Sequence, residues 1–255
     1  MKKVSLLNFT LTTGKYSAFL DEIIGLAQSK KSAVVCVANV HMYSEAHKDK
    51  KFENIISEAE IVTPDGKPLT WALRVLYGIR QERVAGMDVL PDLLKQMSSN
   101  GISAFFYGSS EVTLEKTNEY LSTVYPELKI AGLHSPPFYS SGDLNNNNAD
   151  EEVITAINGS LPSVVFVVLG CPKQEKWMAA MRGRINTVMV GIGGALPVMI
   201  GMQKRAPKWM QNAGLEWLYR LMQEPGRLFK RYATTNRLFI WVVFKEYFRL
   251  KLLVP

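Results

Sequence analysis

The sequence has no hydrophobic run long enough to cross a lipid bilayer. The 255-residue chain is 47% apolar, but its longest late apolar stretch, Leu238–Phe244, is bounded by Arg237 and Lys245. A transmembrane helix needs about 20 consecutive apolar residues. Polar residues also follow the N-terminal Met-Lys-Lys too soon for a signal-peptide core to develop. We therefore predict a cytoplasmic protein that lies on a membrane surface and does not cross it.

Cysteine and histidine are scarce. The two cysteines, Cys36 and Cys171, each adjoin an apolar run, so we predict that both are buried, reduced thiols without a disulfide framework. The three histidines form no cluster with cysteine at metal-ligand spacing, and the H-E-x-x-H pattern is absent. The D-x-D pair that many sugar-nucleotide transferases use to hold a metal is absent too. We expect no metal and no cofactor, and we expect arginine and lysine to bind any phosphate.

Short apolar runs alternate with amphipathic stretches, and this alternation indicates an α/β fold. Uniformly apolar, β-branched runs are typical of parallel strands buried on both faces, and helices between them give a doubly wound, Rossmann-like sheet. The predicted strands are Ser32–Val40, Ala104–Tyr107, Ser163–Gly170 and Thr187–Gly191, with a short apolar piece at Glu60–Val62. The predicted helices are Tyr16–Ser29, Lys67–Tyr77, Asp88–Ser98, Glu111–Thr123, Ala149–Asn158 and Gln174–Arg182. The asparagine-rich segment Ser140–Asn148 is interpreted as a mobile surface loop.

Glycines and polar residues follow several predicted strands, at the edge of the sheet where ligands bind in such folds. Gly108-Ser109-Ser110 and Gly191–Gly194 would let a nucleotide diphosphate approach backbone N–H groups. The alternative, that these glycines only form tight turns, has equal weight for either one alone. Thr63-Pro64-Asp65-Gly66 is by itself a good turn sequence.

Positive charge is concentrated at the C-terminal end. Residues 201–255 contain eleven Lys and Arg against three Asp and Glu, about +8 in a chain whose formal charge is +7. Aromatic residues such as Trp209, Trp241 and Phe244 are interleaved with these charges, which suits an anionic membrane surface. We predict a catalytic domain at 1–200 and a basic, amphipathic helical tail at 201–255. The alternative is a helical hairpin that simply packs on the core.

The motifs together resemble the WecG/TagA/CpsF family of bacterial glycosyltransferases, glycosyltransferase family 26. The resemblance covers nearly the whole chain. It rests on Asn39, T-P-D-G at 63–66, R-V-A-G at 83–86, F-F-Y-G-S at 105–109, L-G-C-P-K-Q-E at 169–175, G-I-G-G-A at 191–195, K-R-A-P-K-W at 204–209 and G-L-E-W-L-Y-R-L-M-Q-E-P-G-R at 214–227.

The resemblance implies an inverting, metal-independent transfer of a sugar from a UDP-sugar to an undecaprenyl-diphosphate-linked sugar at the cytoplasmic membrane face. Asp65 would be the general base, and Asn39, Arg83 and Gln174 would line the same catalytic cleft. Further residues would bind the nucleotide or neutralise the departing UDP: Gly108, Ser109, Gly170, Pro172, Lys173, Gly193, Gly194, Arg205, Arg220, Arg227 and Arg231. The expected partners are the UDP-sugar, the lipid-linked acceptor and an anionic membrane surface. The sequence leaves open whether the protein forms a homo-oligomer.

Two positions depart from the family pattern as the resemblance presents it. Val37 stands where a threonine is expected, and Ser135-Pro136-Pro137-Phe138 follows His134 in place of G-Y-F. Both changes leave the donor sugar undecided among N-acetylmannosamine, its uronic acid, glucose and similar sugars.

Two alternatives come from other classes of protein. An NAD(P)-dependent reductase on a similar sheet would carry G-x-G-x-x-G in the first βα turn, where this chain has Asn39-Val40-His41. A nucleic-acid-binding module would use the basic tail, but the sequence carries no nucleic-acid-binding signature. We therefore expect no nucleic-acid partner.

Overall fold

The computed structural model describes residues 1–136 and 147–253, in two compact units. The first unit comprises Met1–Phe19, Val37–Ala85 and Gln203–Pro255. The second comprises Leu20–Cys36 and Gly86–Met202. From Gln203 on, the tail predicted at 201–255 belongs to a unit that also contains two N-terminal segments.

The strands form a small hairpin and one larger sheet. In the hairpin, β1 and β2 pair antiparallel, whereas the pairings β3–β8, β8–β7, β7–β5 and β5–β6 are all parallel. The six-stranded sheet has the order β4-β3-β8-β7-β5-β6, which confirms the predicted α/β fold with a mostly parallel sheet. The strands are β1 Lys2–Leu6, β2 Phe9–Thr13, β3 Ala33–Ala38, β4 Ile61–Pro64, β5 Ala104–Gly108, β6 Ile130–His134, β7 Val164–Val168 and β8 Val188–Gly191.

Helices alternate with the strands and then form the C-terminal tail. Two predicted helices, Tyr16–Ser29 and Lys67–Tyr77, have the predicted bounds. The helices are α1 Tyr16–Ser29, α2 Val40–Lys48, α3 Lys50–Glu58, α4 Lys67–Tyr77, α5 Gly86–Ser99, α6 Glu111–Val124, α7 Asn147–Gly159, α8 Lys173–Met181, α9 Ala195–Met199, α10 Lys208–Asn212, α11 Glu216–Gln223 and α12 Pro225–Leu253. Among the described helices, none is both long and apolar enough to span a membrane.

In the second unit, the central strands are buried on both faces, as uniformly apolar sequences require. Every residue of β5, β7 and β8 is buried. Phe106 of β5 and Phe166 of β7 are opposite each other in the register and stack with ring centroids 5.1 Å apart. This packing belongs to the register that brings the end of β5 beside the end of β7, where the glycine-containing loops begin.

In the first unit, α12 packs against α2 and α4. Tyr43 of α2 makes an edge contact with Phe239 of α12, with ring centroids 5.0 Å apart, and a second edge contact with Phe9 at 5.7 Å. Both Tyr43 and Phe239 are buried. One face of the tail is therefore part of a hydrophobic core, as the hairpin alternative supposed.

The structure differs from the sequence predictions at several points. The first large strand ends at Ala38, because Asn39 caps a helix that begins at Val40. Cys36 is buried, but Cys171 is half-exposed in the loop after β7, so the prediction that both thiols are buried was wrong for Cys171. The predicted loop Ser140–Asn148 falls outside the described residues up to position 146, and its last two asparagines begin α7.

Candidate active site

The end of β3 and the end of β4 bring Asn39 and Asp65 together in the first unit. The Asp65 backbone N–H donates to the carbonyl of Ala38 at 2.7 Å, and Ala38 directly precedes Asn39. Asn39 has an extended backbone, and its Oδ1 accepts hydrogen bonds from the N–H groups of His41 and Met42 at 3.0 and 3.2 Å. These bonds satisfy N–H groups that the first turn of α2 would otherwise leave without partners. Both side chains remain partly exposed.

Arg83 is held beside Asp65 by backbone hydrogen bonds on the next residue. The Val84 N–H donates to the carbonyl of Pro64 at 3.0 Å, and Thr63 Oγ1 donates to the carbonyl of Val84 at 3.0 Å. Thr63 is fully buried. The T-P-D-G turn and the R-V-A-G segment thus lie side by side, and three of the four predicted catalytic residues share one rim.

Glu216, at the start of α11, binds Arg83. Arg83 Nη1 donates to Glu216 Oε2, and the two side chains are 13% and 21% exposed. The other carboxylate oxygen lies 3.6 Å from Nε of Arg205. A single carboxylate therefore holds two guanidinium groups, and this ties the tail to the segment beside Asp65.

The K-R-A-P-K-W segment is anchored to the helices that follow it. Gln223 of α11 exchanges two hydrogen bonds with the backbone of Lys204, at 3.2 and 3.0 Å. The buried Gln211 of α10 donates to the carbonyl of Ala206 at 2.7 Å. These contacts fix the backbone on both sides of Arg205.

The other arginines predicted from the tail have different surroundings. Arg227 is exposed and pairs with Glu224, one turn earlier. Arg220 is half-buried on α11. Arg231 is half-buried on α12, with its guanidinium carbon 5.4 Å from the centre of the Tyr232 ring. Arg83 and Arg205 are the two that the structure brings onto one carboxylate.

The second unit contains the predicted glycine-lined loops. Gly108, the last residue of β5, has a φ of 111°, and a Cβ there would lie 2.7 Å from the carbonyl carbon and oxygen of Val168. Only glycine fits this position. Ser109 follows with a φ of 68°, and Ser110 caps α6 by accepting from the N–H of Thr113. The tight approach of two backbones is thus a structural reason for Gly108, whatever it binds.

A second pair of loops, after β7 and after β8, is joined by Gln174. The Gln174 Oε1 accepts from the N–H of Gly170 at 3.1 Å. The same oxygen lies 3.1 Å from where a Cβ of Gly193 would be. The N–H of Gly193 itself donates to the carbonyl of Val167 at 3.3 Å. Gln174 is only 4% exposed, so its side chain supports the loops after β7 and β8 from the protein interior.

The predicted residues around this pair of loops occupy the helix starts. Pro172 precedes the first residue of α8, Lys173, which is exposed, and Gly194 precedes α9. The Cys171–Pro172 peptide bond is cis. The predicted nucleotide-binding residues of these two loops therefore flank two neighbouring strand ends, β7 and β8.

Glu175 is a fully buried carboxylate next to Gln174. Gln174 Nε2 donates to Glu175 Oε1 at 2.7 Å. Burial raises the pKa of Glu175 to about 7, although hydrogen bonds from Gln174, from its own backbone N–H and from the Cys171 thiol act in the opposite direction. A carboxyl group that loses water on burial favours its neutral form.

Sequence reasoning did not single out Glu175, which contacts the predicted site residue Gln174, or Glu216, which pairs with Arg83 and Arg205. Both lie within quoted motifs, P-K-Q-E and G-L-E-W-L-Y-R, and this was the one available signal. Across the described residues, 1–136 and 147–253, no three His, Cys, Asp or Glu side chains are grouped as a metal site would require.

Comparison with known proteins identifies the family. Residues 4–252 match the family model described as "Glycosyl transferase WecG/TagA/CpsF family". An N-acetylglucosaminyldiphosphoundecaprenol N-acetyl-beta-D-mannosaminyltransferase of Bacillus subtilis (strain 168) is 31% identical over 229 residues, 89% of this chain and 86% of the relative. A protein of the same name from Bacillus spizizenii is 33% identical over 198 residues, 77% and 74% of the two chains. A protein of the same name from Staphylococcus aureus (strain MW2) is 29% identical over 202 residues, which are 79% of this chain and 76% of the relative.

These matches decide between the transferase and the reductase that the sequence left as alternatives. The family match covers nearly the whole chain, including both described units and the tail. The chain belongs to the WecG/TagA/CpsF family and is a glycosyltransferase.

Proposed function

We propose that this glycosyltransferase moves a sugar from a UDP-sugar to a sugar linked to undecaprenyl diphosphate, with inversion and without a metal, in the synthesis of a cell-surface polysaccharide. The relatives' names describe transfer of N-acetylmannosamine to N-acetylglucosaminyldiphosphoundecaprenol. N-acetylmannosamine is therefore the first donor sugar to test, with its uronic acid and glucose next.

The observation that carries this proposal is the hydrogen bond between the Asp65 N–H and the Ala38 carbonyl. It joins the backbone of Asp65 to the residue before Asn39, and the Val84–Pro64 bond brings the backbone next to Arg83 to the same strand end. In the proposed reaction the acceptor hydroxyl attacks the anomeric carbon of the donor sugar. Asp65 takes the hydroxyl proton as the bond to UDP breaks, and the direct displacement inverts the anomeric centre.

The departing UDP gains negative charge, which the site must stabilise. We assign this task to arginines, since a guanidinium binds two phosphate oxygens at once and stays protonated. Arg205 is positioned by Glu216, and Arg220, Arg227 and Arg231 lie on the two helices that follow. Gly108, Gly170, Gly193 and Gly194 would let the diphosphate approach the backbone closely.

The tail is also proposed to hold the enzyme on the cytoplasmic face of the membrane, where the lipid-linked acceptor is found. Opposite the buried Phe239, α12 exposes a band of large apolar side chains among basic residues. Its exposed members are Phe229, Ile240, Trp241, Phe244, Phe248 and Leu252. Each basic residue near an anionic leaflet adds about 1 kcal/mol to binding. This band thus suits a membrane surface, while the other face of α12 packs on the core.

Thermal unfolding with a nucleotide panel tests the proposal. A ligand that binds only the folded state raises the melting temperature. At a ligand concentration 100 times its Kd, the free energy of unfolding rises by about 2.7 kcal/mol. We expect UDP and UDP-N-acetylmannosamine to raise the melting temperature equally with and without EDTA. GDP, CMP and NAD serve as controls.

The transfer reaction itself is tested with UDP-N-acetylmannosamine and an N-acetylglucosamine diphospholipid acceptor. The expected product is the lipid-linked disaccharide, formed in the presence of EDTA. A UDP shift that EDTA abolishes would contradict the metal-free mechanism. A shift with NAD alone would contradict the proposed donor.

A further inference from the structure

Glu175 has no role in the proposed reaction, yet its burial is costly. The side chain is fully buried in α8, and its raised pKa reflects the loss of water around the carboxylate. An apolar side chain of similar volume would avoid this cost. Its Oε1 accepts a hydrogen bond from Gln174, a residue that the family resemblance places at the catalytic cleft.

The Gln174 carboxamide lies between two loops. Its Oε1 accepts from the N–H of Gly170, in the loop after β7. A Cβ at Gly191 would come within 2.8 Å of its Nε2, and a Cβ at Gly193 within 3.1 Å of its Oε1. The carboxamide therefore touches the segment after β8 as well, and it fills the space that these glycines leave.

Glu175 determines the orientation of the Gln174 carboxamide, that is, which loop its oxygen faces. Glu175 Oε1 accepts from the Nε2 end of Gln174, and it can do so whether the carboxyl group is ionised or carries a proton on its other oxygen. The Oε1 end is then directed to the Gly170 N–H. If the carboxamide were reversed, its Nε2 would meet the N–H of Gly170 and its Oε1 would meet the acceptor oxygen Oε1 of Glu175, two unfavourable contacts in a buried site.

We propose that Glu175 is a positioning residue that acts through Gln174: it fixes the carboxamide that joins the loops after β7 and β8, and thereby shapes the rim that binds the donor diphosphate. This rests on the proposed UDP-sugar function. Glu175 does not touch the substrate; Gln174 and the glycine-lined loops transmit its effect.

Four variants test the proposal, with UDP as the probe in calorimetric titration. Glu175→Met keeps the volume but removes the acceptor, so it should raise the Kd for UDP at least tenfold. Glu175→Gln keeps an acceptor oxygen and should bind within threefold of wild type. In a Gln174→Met background, Glu175→Met should change the Kd less than twofold, since the residue through which it acts is gone. Exposed Glu119→Gln on α6 is the matched control.

Steady-state kinetics and melting temperatures separate positioning from simple structural support. Positioning predicts that Glu175→Met raises the KM for the donor by the same factor as the UDP Kd, while the KM for the acceptor stays within twofold. A structural role alone predicts a lower melting temperature with an unchanged UDP Kd, and that result would overturn the inference. Equal losses in Glu175→Gln and Glu175→Met, or additive losses with Gln174→Met, would overturn it too.

A wild-type protein that does not bind UDP would instead refute the proposed function, and this inference with it. UDP binding by wild type with unchanged binding by Glu175→Met would refute the inference alone.

Discussion

Arg83 and Glu216 are 133 positions apart in the chain and form a hydrogen-bonded ion pair in which both side chains are largely buried. The pair joins the segment beside Asp65 to the first turn of α11. Glu216 also lies within 3.6 Å of Arg205, so its loss would leave two guanidinium groups without this carboxylate.

Glu216→Gln is expected to lower the free energy of unfolding by about 1–3 kcal/mol, because it removes the charge from a partly buried pair. It should also reduce turnover, since Arg83 and Arg205 lose their common partner. Urea unfolding and the transfer assay measure the two effects. Glu53→Gln is the control, because Glu53 is as exposed as Glu216 but its partner Lys50, one turn away, is 78% exposed; this variant should cost less than about 0.5 kcal/mol. Equal costs for the two variants would show that the Glu216 cluster contributes no more than a surface pair.

Asp65→Asn should lower the transfer rate by about 10²–10⁴-fold, the range that general base catalysis contributes. UDP binding should stay within twofold, because the backbone hydrogen bonds of Asp65 are unaffected. The matched control is Asp21→Asn, an exposed residue of α1. Loss of UDP binding together with activity would make Asp65 a structural or nucleotide-binding residue.

Glu175 makes stability depend on pH. Its pKa is about 7 in the folded state against 4.5 as the ordinary value, so the folded protein holds this proton more tightly than the unfolded chain. The resulting stabilisation is complete below pH 4.5 and is lost as pH rises through 7, in total roughly 3 kcal/mol. Glu175→Gln should remove this dependence. The free energy of unfolding of the variant, relative to that of wild type, should therefore increase from pH 5 to pH 8. Urea unfolding at four pH values measures it, and parallel curves for the two proteins would contradict the prediction.

Gly108→Ala should destabilise the protein by at least about 2 kcal/mol. The new Cβ would meet the backbone of Val168 at 2.7 Å, and alanine is strained at a φ of 111°. Gly25→Ala is the control. This exposed helical glycine has no atom within 4 Å of the added Cβ, so alanine should stabilise by about 0.5–1 kcal/mol. Thermal unfolding of the two variants should therefore shift in opposite directions.

The exposed band of α12 is tested with Trp241→Ser combined with Phe244→Ser. Both side chains are more than half exposed, so the melting temperature should change little. Binding to vesicles of anionic phospholipid should fall at least tenfold, since two aromatic side chains no longer enter the interface. Phe239→Ala, on the buried face, should instead cost about 3–5 kcal/mol of stability.

Point variants are better suited to this test than removal of the tail. Truncation after Lys204 would also expose Tyr43, which Phe239 covers. Unchanged vesicle binding by the double variant would rule out the proposed membrane surface.

The sequence predicted β5, β7 and β8 of the second unit because these strands are uniformly apolar and glycines follow their ends. It missed β6, an edge strand whose residues are all half-buried. The N-terminal hairpin was missed because Leu7 and Asn8 form its turn with positive φ and without glycine, so the usual turn signal is absent. Residues 40–58 form two short, largely polar helices that were missed, although Asn39 and Asp49 cap them and Phe52 and Ile56 recur at helical spacing on the buried face of α3.

The individual site residues were predictable, but several of their relationships were not. Asn39, Asp65 and Arg83 were identified from motifs, and the structure supplies the backbone bonds that join them. No local pattern could pair Arg83 with Glu216 across 133 positions. A charged residue such as Glu175 is normally assigned to the surface, so its burial could not be inferred from hydrophobic pattern.

The cap on α2 limits what Asn39 can offer to a ligand. Its Oδ1 already accepts two hydrogen bonds, which uses both lone pairs, so its Nδ2 hydrogens are what remains for a substrate. A sugar hydroxyl bound there would have to accept, and its own hydrogen would stay available for donation. Next to Asp65, this would orient an acceptor hydroxyl with its lone pair towards the amide and its proton towards the carboxylate.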